Sequence, residues 1–311
     1  MADVFLHASS SLMLYRALDR DVRAHGFASS GVASLATATD RMSHAALSAL
    51  ARHGLGGSAQ GEPLNILLPT RIGGRRCQRG IHSHVWSGPL TSGSFLTCGD
   101  GVYVSSPEFS FLQMAAHADV VKLAVLGMEL CGTYRLREDR TAFGVPQLTT
   151  VRRIESYLSR MVGAHGASKA REALRFVTDN SGSPRETVLC LLLCLPPSIG
   201  GFGLPLPSLG DPTAQSARQR ESRRSILSWP GTKVVLTDHA CQGAFAQGEV
   251  IIGRDDLRSD KTVRDLAHTV ASGMDLRIRG ECRTFMSARE LLRARVIPLD
   301  DPQEIGDDMV M

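Results

Sequence analysis

The stretch from Ser183 to Pro197, SPRETVLCLLLCLPP, constrains the fold more than any other part of the chain. Its core, TVLCLLLCL, has no polar side, and a helix that is apolar all round has to be enclosed by other elements. The opening is well marked. Proline suits the first helical position, and Ser183 with Glu186 three residues later forms a capping-box pattern. Pro196 and Pro197 end the helix because proline lacks the N–H that the next turn needs. Cys190 and Cys194, four apart on this helix, read as small apolar core residues. At this length the run is too short to span a bilayer, so it demands a domain built around it.

The chain is long enough for about two domains. C-terminal to the apolar helix lie a Gly- and Pro-rich loop, IGGFGLPLPSLGDP, then a strand at Lys233–Thr237 and a basic helical stretch at Arg258–Val270. A strand-like segment at Asp275–Ile278 and a last helix at Ser287–Arg295 complete that half. The N-terminal half has a different pattern. Residues 1–60 read as helical, and GLGGSAQGEP forms a flexible loop. The runs NILLP, GIHSHVW, GSFLTC and GVYVSS then read as short strands between Gly, Pro and Ser clusters. Ser106-Pro107-Glu108 opens a helix, and a second covers Val120–Leu130. Thr150 caps another, with Ile154, Leu158, Met161 and Val162 on its apolar side, and a basic helix resumes at Ala167–Val177. The expected class is α+β or α/β, with a helical N-terminal segment, a small β-rich middle and a C-terminal mixed sheet flanked by helices. The expected segments are 1–62, 63–136, a helical connection at 137–181, the α/β domain at 182–298 and an acidic tail at 299–311.

With 43% hydrophobic and 21% charged residues, neither a disordered chain nor a membrane bundle fits. The N-terminus lacks the basic flank of a signal peptide, and no long apolar run comes after it, so a cytoplasmic protein without a membrane partner is expected. Seven cysteines contain no CxxC pair, which argues against a zinc ribbon or a thioredoxin-like site. Of 35 basic residues only Lys122, Lys169, Lys233 and Lys261 are lysines. Arginine presents a planar fork suited to phosphate, so polyanion binding is one reading of this bias. A GC-rich codon preference is the other.

The basic residues gather at three places. Arg71, Arg75, Arg76 and Arg79 lie on a loop with His82 and His84 just beyond it; Arg220, Arg223 and Arg224 (with Arg218) precede the Lys233–Thr237 strand; Arg258, Lys261 and Arg264 lie on a helix. Each is a candidate nucleic-acid contact or a solvated face. Glu186 and Asp238 are the acids that a divalent metal could share, Glu186 at a helix start and Asp238 at the end of a strand. The capping box is the structural alternative for Glu186, and a turn is the alternative for Asp238.

Two stretches carry a family resemblance. RGIHSHVWSGPLTSGSFLTCGDGVYVSSPEFSFLQMA resembles the middle region of AbiEi-like antitoxin and regulator proteins, and NSGSPRETVLCLLLCLPPSIGGFGLPLP resembles the opening helix of the very-short-patch-repair-like domain of the restriction-endonuclease-like superfamily. The resemblance implies that Glu186 corresponds to the helix acid of the nuclease, SWPGTKVVLTDH to its central hairpin and Asp238 to its last acid. It also implies that Arg258–Arg264 corresponds to the basic helix after that hairpin. Two further acid positions fall on Ile226 and Leu236, whose side chains cannot coordinate a metal. The implied protein is a bacterial-type binder of duplex DNA, or of a partner such as a cognate toxin, with a degenerate nuclease-like domain, no enzyme activity and no cofactor. Two alternatives stand beside it. One is an active endonuclease using Mg2+ with Glu186, Asp238 and Asp255 or Asp256. The other is an AbiEi-like antitoxin or repressor, which requires a winged helix in the N-terminal segment.

Overall fold

The computed structural model describes residues 3–18, 20, 22–32, 34–52, 63–69, 80–137, 140–210, 225–236, 249–278 and 282–300. The chain is α+β and divides into two compact units, Met1–Leu130 with Val145–Arg175, and Cys131–Gly144 with Phe176–Met311.

The first unit is built on β1 (Val4–Leu6), β2 (Ala28–Ser29), β3 (Leu64–Leu68), β4 (Ile81–Val85), β5 (Phe95–Gly99) and β6 (Val102–Ser105), in the order β2-β5-β6-β1-β3-β4. The sheet is mixed: β1 runs parallel to β6, and β3 parallel to β4, while β1 and β3 are antiparallel. Its helices are α1 (Ala8–Ala17), α2 (His44–Arg52), α3 (Pro107–Met114), α4 (Val120–Leu130), α5 (Val151–Arg160) and α6 (Ala167–Leu174). The N-terminal segment is therefore not purely helical, as its sequence pattern suggests, but supplies β1, an internal strand of the sheet. The reason is length. Three apolar residues that are all buried show neither the alternation of a half-exposed strand nor a helical period.

The parallel strands β1 and β6 each lead directly into a helix, and their ends are joined by a buried polar network. The Tyr15 hydroxyl donates to the Ser105 carbonyl at 2.6 Å, and Ser105 Oγ donates to the Leu6 carbonyl at 2.7 Å. Gln113 Nε2 donates to Ser105 Oγ at 2.9 Å, while Gln113 Oε1 accepts the Ala8 N–H at 2.6 Å. These bonds supply partners to groups that burial would otherwise make costly. Thr150 caps α5 as its sequence indicates, accepting the Arg153 N–H at 3.3 Å. Val162 departs from the expected apolar side. The helix ends at a non-helical Met161, which leaves Val162 76% exposed.

The second unit contains the hairpin β7 (Tyr134–Leu136) and β8 (Thr141–Phe143), helix α7 (Pro184–Cys194) and a sheet of β9 (Ser208–Leu209), β10 (Ser225–Trp229), β11 (Thr232–Leu236) and β12 (Glu249–Ile252), with α8 (Arg254–Arg258), α9 (Asp260–Gly273) and α10 (Arg283–Val296). Sheet order is β12-β11-β10-β9, antiparallel except for β11 with β12. Every residue of α7 is buried, as its lack of a polar face demands. Tyr134 and Ser181 both hydrogen-bond to Thr187 Oγ1, at 2.9 and 3.0 Å. This draws the 134–143 hairpin onto α7, so the units cut across the segment boundaries suggested at 136 and 181. The Asp275–Ile278 segment, expected as a strand, is a turn followed by irregular chain. No helix of the described residues is long and apolar enough to cross a membrane.

Candidate nucleic-acid interface

Glu186 sits in the first turn of α7 and is 4% exposed. Its backbone N–H donates to Ser183 Oγ at 3.2 Å, and its Oε2 accepts the Gly182 N–H at 2.8 Å. The carboxylate thus closes the cap one residue further out than the capping box requires, and gives a partner to an N–H at the entry to the helix. Of the two acid positions that fall on apolar residues, Ile226 pairs with Val235 across the β10–β11 hairpin, and Leu236 pairs with both Ser225 and Ile252. Leu236 is buried between its neighbouring strands. Asp238 lies outside the described residues, as do Arg71, Arg75, Arg76, Arg79, Arg220, Arg223 and Arg224.

The two substitute acids are also accounted for. Asp256 Oδ2 accepts the Gly253 N–H at 2.8 Å at the start of α8, and Asp255 is an exposed first-turn acid on the same helix. Among the described residues no group of three or more His, Cys, Asp or Glu side chains could hold a metal ion. With Glu186 committed to the Gly182 N–H and Ile226 and Leu236 offering no side-chain oxygen, these three positions are a poor match to the oxygen cage that Mg2+ needs. The described donors do not fit the group.

The basic stretch at 258–264 forms two helices, because Ser259 has extended backbone and caps α9 by accepting the Thr262 N–H at 3.3 Å. Arg258, exposed, ends α8, and Lys261 is exposed on α9. Arg264 points its fork at Asp260: its Nε and Nη2 donate to Oδ2 at 2.9 and 2.7 Å. The other oxygen of Asp260 accepts from Arg289 Nε at 2.7 Å and lies 3.3 Å from Arg293 Nη1.

Arg289 carries no sequence signal of a functional site, yet it is the hub of this cluster. It is 1% exposed, lies 4.3 Å above the Phe202 ring and donates through Nη1 to the Gly200 carbonyl at 2.9 Å. Gly200 permits this contact, since a Cβ there would stand 2.5 Å from Arg289 Cα, and its φ of +102° favours glycine in any case. Partial burial pushes the Asp260 carboxyl up, but the bond from Arg264 and the charges of Arg289 and Arg293 outweigh it, so Asp260 ionises below the usual carboxylate range. The i,i+4 spacings of Asp260 with Arg264 and of Arg289 with Arg293 are the trace this cluster leaves in the sequence.

Beside Phe202 lies a cavity of about 390 Å³ lined in part by Pro197, Ile278, Cys282 and Phe285. Cys282 precedes α10, and hydrogen bonds from the Thr284 hydroxyl and the Phe285 N–H lower its thiol below the ordinary value. No protein-family model, curated protein or solved structure matches this chain. The arrangement of these side chains is accordingly what bears on its function.

Proposed function

We propose that the chain is a nucleic-acid-binding protein whose second unit is a nuclease-like scaffold that holds duplex DNA without cutting it. The observation that carries this reading is the state of the acid positions: Glu186 serves as a helix cap and Leu236 is a buried, doubly paired strand residue. The order of elements supports the scaffold half. The apolar α7, the β10–β11 hairpin turning at Pro230-Gly231 and the later helix α9 fall on the segments that the family resemblance assigns to opening helix, central hairpin and basic helix. Exposed Arg258 and Lys261 supply cations beside the hub, where Arg264 is already bound to Asp260.

Binding to a labelled DNA duplex at two salt concentrations tests this, because several phosphate contacts produce a steep loss of affinity with salt. Absence of binding at low salt would overturn it in favour of a protein partner, such as a cognate toxin. Plasmid cleavage with Mg2+ or Mn2+ that disappears in Asp238→Ala would restore the endonuclease reading.

A further inference from the structure

The first unit carries a basic surface that none of the three sequence clusters includes. Between Val151 and Arg175 the chain holds Arg152, Arg153, Arg160, Lys169, Arg171 and Arg175 against only Glu155 and Glu172. All of these except Lys169 are exposed. Among the described residues, one of the six cations has a carboxylate partner: Arg153 lies 3.0 Å from buried Glu108 and its side chain remains 64% exposed.

Two of the other forks are held by backbone carbonyls. Arg160 Nε donates to the Ser156 carbonyl at 3.3 Å, and its guanidinium lies 5.7 Å above the Tyr157 ring. Arg171 Nη2 donates to the Leu158 carbonyl at 2.7 Å, so a fork from α6 is pinned to the last turn of α5. Each guanidinium has five N–H donors and uses one here, which leaves an oriented set for an external acceptor. The side chains of Arg152 and Arg175 make no hydrogen bond or ion pair with a described residue. Gly166 sets the turn between the helices: its φ is +82°, and a Cβ there would stand 2.9 Å from the Ala115 backbone.

We infer that the outer face of α5 and α6 is a contact surface for the phosphate backbone of double-stranded nucleic acid. Charge complementarity favours this partner, since arginine forks match phosphate oxygens and exposed Ser156 and Ser168 add hydroxyls on the same two helices. A bilayer is disfavoured, because the apolar sides of both helices, Ile154, Tyr157 and Leu158 on one and Ala170, Ala173 and Leu174 on the other, are buried inside the unit. The inference rests on the nucleic-acid reading above but on a different set of side chains.

Fluorescence anisotropy of a labelled DNA duplex across a salt series tests it with the full chain. Arg152→Gln with Arg175→Gln removes two cations whose side chains make no hydrogen bond or ion pair with a described residue, and the slope of log K against log salt should fall by about 2, at roughly 0.9 per phosphate contact. Adding Arg160→Gln and Arg171→Gln should bring the fall to about 3.5. Arg20→Gln with Arg41→Gln, two exposed cations elsewhere in the unit, should leave the slope unchanged. An unchanged slope in both α5–α6 variants, or an equal fall in the control pair, overturns the surface while leaving nucleic-acid binding in place. A wild-type chain that binds phosphatidylserine vesicles but no duplex at low salt overturns both.

Discussion

Arg289 Nε and Asp260 Oδ1 stand 2.7 Å apart, and this bond ties α10 to α9 through a guanidinium almost wholly withdrawn from water. Removing one member of such a pair leaves the other charge and the Gly200 carbonyl without their partner. Arg289→Met should therefore lower the stability of the second unit by roughly 3 kcal/mol, read from urea unfolding. A loss below about 1 kcal/mol would mean that the hub is incidental.

Glu186 separates a structural carboxylate from a metal ligand. Its amide analogue, Glu186→Gln, keeps an oxygen that can accept the Gly182 N–H and should unfold at nearly the wild-type temperature. Glu186→Ala should cost about 1 kcal/mol, the usual worth of a lost cap. Neither variant should change the response of the melting temperature to millimolar Mg2+. A wild-type chain stabilised by Mg2+, with the effect abolished in Glu186→Gln, would contradict the cap reading.

His7 gives the first unit an acid-sensitive point. Burial, with the positive charges that His84 and His117 would carry, holds its imidazole at about 3, and its ring stacks on His84 at 3.9 Å. A base whose pKa falls on folding binds its proton more readily in the unfolded chain. Its contribution is thus complete above the unfolded value of about 6.5 and is lost as pH falls from there toward 3. The integrated loss is on the order of 4 kcal/mol. His7→Asn keeps an oxygen for the Ser9 N–H that caps α1, and should flatten the stability profile across that window. An unchanged profile would exclude His7 as its source.

The cysteines divide by environment. Burial pushes the Cys190 and Cys194 thiols well above the ordinary range, whereas Cys282 is exposed and lowered by its hydrogen bonds. A thiol reagent at neutral pH should modify Cys282 quickly, and Cys190 and Cys194 only after unfolding. Mass spectrometry of the labelled peptides checks this. Fast labelling of Cys194 in the folded protein would show that α7 opens readily to solvent.

Local features are legible in the sequence where chemistry acts over a few residues. The Ser183 and Thr150 caps and the all-round burial of α7 follow from residue type and spacing, because a cap or a proline stop is settled within one helical turn. The break at Ser259 is not legible, since Ser259 fits an unbroken polar helix face equally well until Thr262 turns its N–H onto it. Val162 misleads for a related reason: the 3.6-residue period counts it as core, but the helix stops at Met161 before that face is reached.

By itself the sequence determined the fold class, the position of the enclosed helix and the incompatibility of Ile226 and Leu236 with metal binding, all properties of side-chain type and short-range order. Only the tertiary structure decided which charges remain available. Arg264 and Arg289 direct their charge to Asp260, and Glu186 commits its carboxylate to a backbone N–H, whereas Arg152 and Arg175 lie open on a surface. The physical reason is that availability depends on partners from other elements. Asp260 and Arg289 are 29 residues apart in the chain, and no local pattern records that they meet.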